Sequence, residues 1–115
     1  MDFPWIYLIP VGVVGYLLWS KRSASSADVK ALLERGAQIV DVRSAPEFQG
    51  GHAPGSLHLP LHLLTVLAQE RLPKDRALLL CCESGARSFQ AVSYLKRQGY
   101  DAHNLGPWTF HPDLS

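Results

Sequence analysis

Residues 77–88 read Ala77-Leu78-Leu79-Leu80-Cys81-Cys82-Glu83-Ser84-Gly85-Ala86-Arg87-Ser88, an apolar run, a short polar turn and the opening of a helical pattern. An apolar run without alternation fits a strand covered on both faces, as in the middle of a parallel sheet. A strand that ends in a cysteine, turns through a glycine and opens a helix puts a thiol under the free N–H groups of that helix. Those groups and the helix dipole favour thiolate over thiol, so the stretch is a candidate nucleophile loop. Position alone leaves a second reading open, in which the two cysteines only fill a core.

On either side the pattern alternates between helix and strand. Ser25 and Asp28 resemble a capping box, and Val29, Leu32 and Leu33 form an apolar stripe that stops at Gly36. Residues 38–42 read as a buried strand. Pro46 fits the first turn of a short helix that runs to residue 49, before the loop at Gly50-Gly51. Residues 56–59 read as a short strand ended by Pro60, and 61–70 as a helix packed on a sheet. Residues 87–98 follow as a helix, with Phe89, Val92 and Leu95 on one side and Gly99 at its end; 101–105 are the last strand. This order predicts an α/β domain with a mainly parallel central sheet flanked by helices. Active sites in such sheets sit at the carboxyl ends of strands, where Cys82 falls.

With 115 residues, 47% of them apolar and 18% charged, the chain has room for one small domain and an extra segment. Residues 23–115 hold nine basic and nine acidic side chains with no basic stripe, which argues against nucleic acid as the main partner. The two cysteines are adjacent and cannot staple distant parts of a fold.

The extra segment is N-terminal. Residues 3–19 form seventeen positions without a charge, closed by Lys21-Arg22. As a helix they span about 25 Å, most of a ~30 Å hydrocarbon core. Trp5, Tyr7, Tyr16 and Trp19 lie towards the two ends, as interfacial anchors do, and Pro10 predicts a kink. A cleaved signal peptide is the competing reading. The positive charges follow the apolar run instead of preceding it, which favours an uncleaved, single-pass transmembrane anchor over residues 1–22. The globular domain is then 23–115, on the cytoplasmic side beside Lys21 and Arg22.

Two ordered motifs carry a family resemblance. Ile39-Val40-Asp41-Val42-Arg43 followed by Glu47-Phe48-Gln49-Gly50-Gly51-His52-Ala53-Pro54-Gly55-Ser56 resembles the first signature of the rhodanese family. Cys82 to Ser88 resembles the second, Cys-x-x-Gly-x-Arg-Ser, and Leu105-Gly106-Pro107-Trp108 looks like a degraded closing segment. The resemblance implies a rhodanese-like three-layer domain, here preceded by one transmembrane helix. It also implies a sulfurtransferase: Cys82 takes a sulfane sulfur from thiosulfate or a persulfide, small or protein-bound, and passes it to cyanide or a thiol. The loop amides of Glu83, Ser84, Gly85, Ala86, Arg87 and Ser88 would cradle the anionic sulfur. No metal or organic cofactor is implied, because the persulfide itself carries the sulfur.

Asp41, Arg43, Glu47 and His52 read as supports. Asp41 orients the loop from a strand end, and Arg43 pairs with either Glu47 or Asp41. Arg87 either reaches over the loop as a positive neighbour or anchors the helix. His52 reads as a turn histidine bonded to backbone, since a thiolate at a helix terminus needs no base. Pro60 separates His58 from His62 and rules out one helical face through both, so no zinc site is expected.

Glu83 departs from the family pattern. A carboxylate there raises the thiol pKa and repels thiosulfate if it faces the pocket, so a neutral or protein-bound persulfide donor suits the loop better. The end of the chain soon after Trp108 predicts a terminal helix that is absent or very short. Two other functions compete. Cys81 to Arg87 has the Cys-x5-Arg spacing of tyrosine phosphatases and arsenate reductases, but its glycine falls one place late and no histidine precedes Cys81. Cys81 is also expected to point away from Cys82 by the period of two. A non-catalytic binding domain is the other alternative, although such domains commonly lose the cysteine that this chain keeps.

Overall fold

The computed structural model describes residues 26–83 and 86–110. Four parallel strands, β1 (Gln38–Asp41), β2 (Leu57–His58), β3 (Leu78–Cys81) and β4 (Ala102–Gly106), form one sheet in the order β2-β1-β3-β4. Four helices connect and cover them: α1 (Ser26–Glu34), α2 (Ala45–Gln49), α3 (Leu61–Arg71) and α4 (Ala86–Arg97). A single 3₁₀ turn, Trp108–Phe110, follows β4.

The all-apolar β3 lies between β1 and β4, and all four of its residues are buried. Its side chains alternate between two cores. Leu78, Leu80 and Cys82 join Leu64, Ala68, Ala91 and Leu95 from α3 and α4, while Leu79 and Cys81 join Val29 of α1 with Ile39 and Leu105. The sheet is therefore the middle of three layers. Cys82 faces the α4 side.

Element ends are set by local chemistry. Gly36, at φ +89°, lets the chain reverse after α1, with Gly36 N–H donating to the Leu33 carbonyl and Ala37 N–H to that of Leu32. Within α4 the buried positions are Ser88, Ala91, Val92 and Leu95. Phe89, expected on that face, is only half-buried, and the polar Ser88 takes an inward position instead. Between β3 and β4 the register slips by one: Leu80 pairs with Asn104, but Cys81 pairs with Gly106. Leu105 is the extra residue of a bulge at the carboxyl end of the sheet.

Among the described residues no helix is long and apolar enough to cross a membrane. Residues 3–19, expected as an anchor, lie outside them, as do Ser25, Ser84, Gly85 and residues 111–115.

Candidate active site

At the carboxyl end of β3 the chain passes directly from Cys81 into Cys82, whose N–H donates to the Gly106 carbonyl at 3.2 Å. This bond continues the ladder one residue beyond the strand. Cys82 lies at the bottom of a cleft of about 430 Å³, lined also by Arg43, Glu47, Gly51, Glu83 and Trp108. Ser88 is the third residue of α4, where backbone N–H groups have no partner inside the helix. Its N–H donates to the Cys82 sulfur at 3.4 Å, and its hydroxyl lies 3.3 Å from the same sulfur. A thiol in this position has the donor that a thiolate needs.

Behind Ser88 lies a residue that the motifs do not mark. Ser88 Oγ–H donates to Asn104 Oδ1 at 2.7 Å, and Gly106 N–H donates to the same oxygen at 3.0 Å. Asn104 and Ser88 are both buried. The available sequence signal is a polar residue inside a strand, since buried polar groups are almost always hydrogen-bonded.

Two ion pairs build the walls. The Asp41 carboxylate is fully buried and accepts from the Arg43 backbone N–H at 3.0 Å and from the guanidinium at 2.7–3.0 Å. Arg43 Nη2 also donates to the Gly51 carbonyl at 2.7 Å, which ties the cleft rim to β1. Hydrogen bonding to Asp41, opposed in part by burial, raises the guanidinium pKa further. Arg87 donates through both terminal nitrogens to the two Glu47 oxygens at 2.8 Å each. Glu47 also caps its own helix, accepting from Ser44 N–H and Oγ–H. Arg87 and then Ser44 hold the Glu47 carboxyl far below the usual carboxylate range.

This arrangement decides two alternatives that the sequence leaves open. Arg43 pairs with Asp41 and not with Glu47, because the fully buried carboxylate requires a counter-charge. Arg87 does not lie over the loop as a free cation; its guanidinium turns to α2 and clasps Glu47. Glu83 is exposed at the cleft lip and makes no ion pair among the described residues. Ser84 and Gly85, the middle of the expected cradle, are outside the described residues, whereas Ala86 opens α4.

His52 is held by Phe48. Its Nδ1–H donates to the Phe48 carbonyl at 2.8 Å, and the ring stacks on Phe48 at a centroid distance of 3.7 Å. His58 stacks on Phe48 and bonds the Arg43 carbonyl. Among the described residues no group of three histidine, cysteine or carboxylate side chains is arranged to hold a metal ion. Cys81 packs in the core on the opposite face of the sheet, where burial, helped by nearby Asp41, pushes its thiol pKa up. That placement removes the basis for a Cys81 nucleophile.

The model of the rhodanese-like domain family matches residues 25–106. A sulfurtransferase of Allochromatium vinosum is 42% identical over 81 residues, covering 70% of this chain and 67% of its own. The thiosulfate sulfurtransferase GlpE of Pseudomonas savastanoi pv. phaseolicola is 42% identical over 72 residues, 62% of this chain and 66% of its own. The chain thus spans about two thirds of the length of these relatives. Among solved structures, a rhodanese homologue from the extremely thermophilic bacterium Thermus thermophilus is 36% identical with a TM-score of 0.61, covering 74% of this chain and 93% of its own. The human single domain sulfurtransferase has the same TM-score at 28% identity, covering 72% and 87%. With the family match running from before α1 to the last residue of β4, the chain belongs to the rhodanese-like domain family.

Proposed function

We propose that the domain is a sulfurtransferase that carries a sulfane sulfur as a persulfide on Cys82, tethered to a membrane through residues 3–19. The observation that carries the reading is the seat of the Cys82 sulfur, 3.4 Å from the Ser88 N–H at the floor of an open cleft. The Cys82 thiolate attacks the outer sulfur of thiosulfate, or the terminal sulfur of a persulfide. A new S–S bond forms as the donor's S–S bond breaks, and sulfite or a thiolate leaves with the bonding pair. A cyanide ion or thiolate acceptor then attacks the terminal sulfur, and Cys82 departs as thiolate. The cycle needs no outside oxidant or reductant, and the loop amides stabilise the anionic sulfur at each stage.

Charge in the cleft favours one class of donor. Arg43 and Arg87 are each neutralised by a carboxylate, which leaves Glu83 as the uncompensated charge among the described residues lining the cleft. A dianion such as thiosulfate meets repulsion there, whereas a low-charge or protein-bound persulfide does not.

Mass spectrometry after incubation with thiosulfate or an alkyl persulfide tests the reaction. Gain of one sulfur is expected for the wild type and Cys81→Ser, and none for Cys82→Ser; no gain with any donor overturns it. For the tether, a membrane-impermeant thiol reagent on sealed vesicles should reach Cys82 from the cytoplasmic face. Labelling only from the other face refutes that placement.

A further inference from the structure

The chain enters the domain at the same end of the sheet as Cys82. All the strands are parallel, and α1 joins β1 through Gly36 and Ala37, so α1 runs against the strands. Leu32 in its last turn and Arg35 just beyond it line a recess with residues 74–77 and Asp101, which lead into the amino ends of β3 and β4. The nine residues of α1 rise about 13 Å, the length of a four-residue strand. The start of α1 therefore lies at the carboxyl end of the sheet, and residues 20–25 reach at most about 20 Å from it in any conformation.

The two ends of the sheet differ in polarity. The recess at the amino end is lined by five exposed charged side chains, Arg35, Lys74, Asp75, Arg76 and Asp101. At the carboxyl end, Glu47 of the clasp lines the cleft, while Arg87 lines a second groove of about 300 Å³ with Val42, Pro60 and Leu61. Leu63 and Val66, 36% and 71% exposed, carry apolar surface onward along α3. Exposed apolar surface of this kind marks a contact, and the uncharged residues 3–19 join the domain on this side.

We propose that the domain works with the carboxyl end of its sheet against the bilayer, the groove and the apolar face of α3 resting on lipid, and that its donor is a lipophilic alkyl persulfide dissolved there. The inference rests on the proposed tether and on Cys82 as the sulfur carrier. A bilayer concentrates a long-chain donor beside the cleft, where Pro46, Pro107 and Trp108 offer apolar surface to its chain. The Cys82 thiolate bonds to the terminal sulfur as the donor's S–S bond breaks. The alkyl thiolate leaves with the bonding pair and takes a proton from water. Thiosulfate, confined to water, gains nothing from this placement and meets Glu83 at the lip.

The full chain in phosphatidylcholine vesicles tests this by two readouts. In a Cys82→Ser background, bimane attached through His62→Cys, at the groove, should be quenched by brominated phosphatidylcholine. Bimane attached through Asp75→Cys, at the amino end, should not. Equal quenching at the two sites, or none at His62, overturns the proposal. Mass spectrometry then follows Cys82 loading by dodecyl persulfide, which partitions into lipid, and by hydroxyethyl persulfide, which stays in water. A Gly-Ser insert of about twenty residues between Ser23 and Ala24 should slow dodecyl loading about fivefold or more and leave hydroxyethyl loading unchanged. Val66→Glu, at an exposed position, should act in the same direction. Equal slowing with both donors, or no slowing with either, overturns the proposal and leaves the transferase reading intact. No loading with either donor refutes the transferase reading, and the donor with it, even where the quenching pattern holds. A chain that does not float with the vesicles overturns the tether and this proposal together.

Discussion

Removing the Asp41 carboxylate is expected to be the most damaging single change near the site. Its side chain is fully buried and the Arg43 side chain, at the cleft wall, is 10% exposed, so water screens the pair only weakly. Asp41→Ala leaves the guanidinium with the Gly51 carbonyl as a partner and no counter-charge. Stranding one member of a buried pair costs about 3–5 kcal/mol, a large part of the roughly 5–15 kcal/mol by which a domain is stable. The melting temperature should fall by at least about 12 °C, at ~4 °C or more per kcal/mol for a domain of this size.

Arg43→Met strands the carboxylate in the same way and should cost as much. The double variant Asp41→Ala with Arg43→Met removes both charges. It should recover most of the loss, remaining destabilised by about 1–3 kcal/mol because the residue 43 N–H loses its acceptor. Urea unfolding of the four proteins at one pH gives the coupling energy directly. A double variant as unstable as the sum of the singles would refute the reasoning, since it would mean that each side chain acts through contacts other than the pair.

The Glu47–Arg87 clasp should behave differently. Both side chains are 28–35% exposed, so Glu47→Gln should cost no more than about 1 kcal/mol in stability. The turnover rate should fall by about 10-fold or more through a displaced loop. Arg87 lowers the Glu47 pKa, so the clasp's contribution is full above the ordinary carboxylate range and shrinks as pH falls below about 4. A stability gap between wild type and Glu47→Gln that instead grows in acid would contradict the pairing. For Glu83→Gln, steady-state rates with thiosulfate at low salt should rise by about threefold or more, and the wild-type rate should itself rise as salt screens the carboxylate. Equal thiosulfate turnover in both proteins would count against a repulsive Glu83. Cys82→Ser should lose sulfur transfer to every acceptor, while Cys81→Ser keeps it.

The parts of this site that were legible in the sequence depend on near neighbours. An apolar run and a period of two place Cys81 and Cys82 on opposite faces of the sheet, and a proline and a glycine mark where α2 begins and ends. The pairing of two arginines with two carboxylates is not of that kind. Arg43 is two residues from Asp41 and four from Glu47, so spacing allows either partner, and Arg87 is forty residues from Glu47. The choice is made by burial: the sheet register sets Asp41 beside Cys81 in the interior, where it must have a cation, and leaves Glu47 at the surface for Arg87. Asn104 shows the same limit in a smaller space. In a regular strand, residues 104 and 106 point the same way and the intervening ladder leaves no reason for a side chain to bond its own backbone two residues on. The bulge at Leu105 breaks that ladder opposite Cys81, and Gly106, at φ +73°, supplies a conformation other residues resist. The strand end thus curls so that Gly106 N–H meets Asn104 Oδ1, while the Gly106 carbonyl still accepts from Cys82 N–H. One irregular residue in β4 therefore fixes both the backbone of Cys82 and the acceptor of the Ser88 hydroxyl.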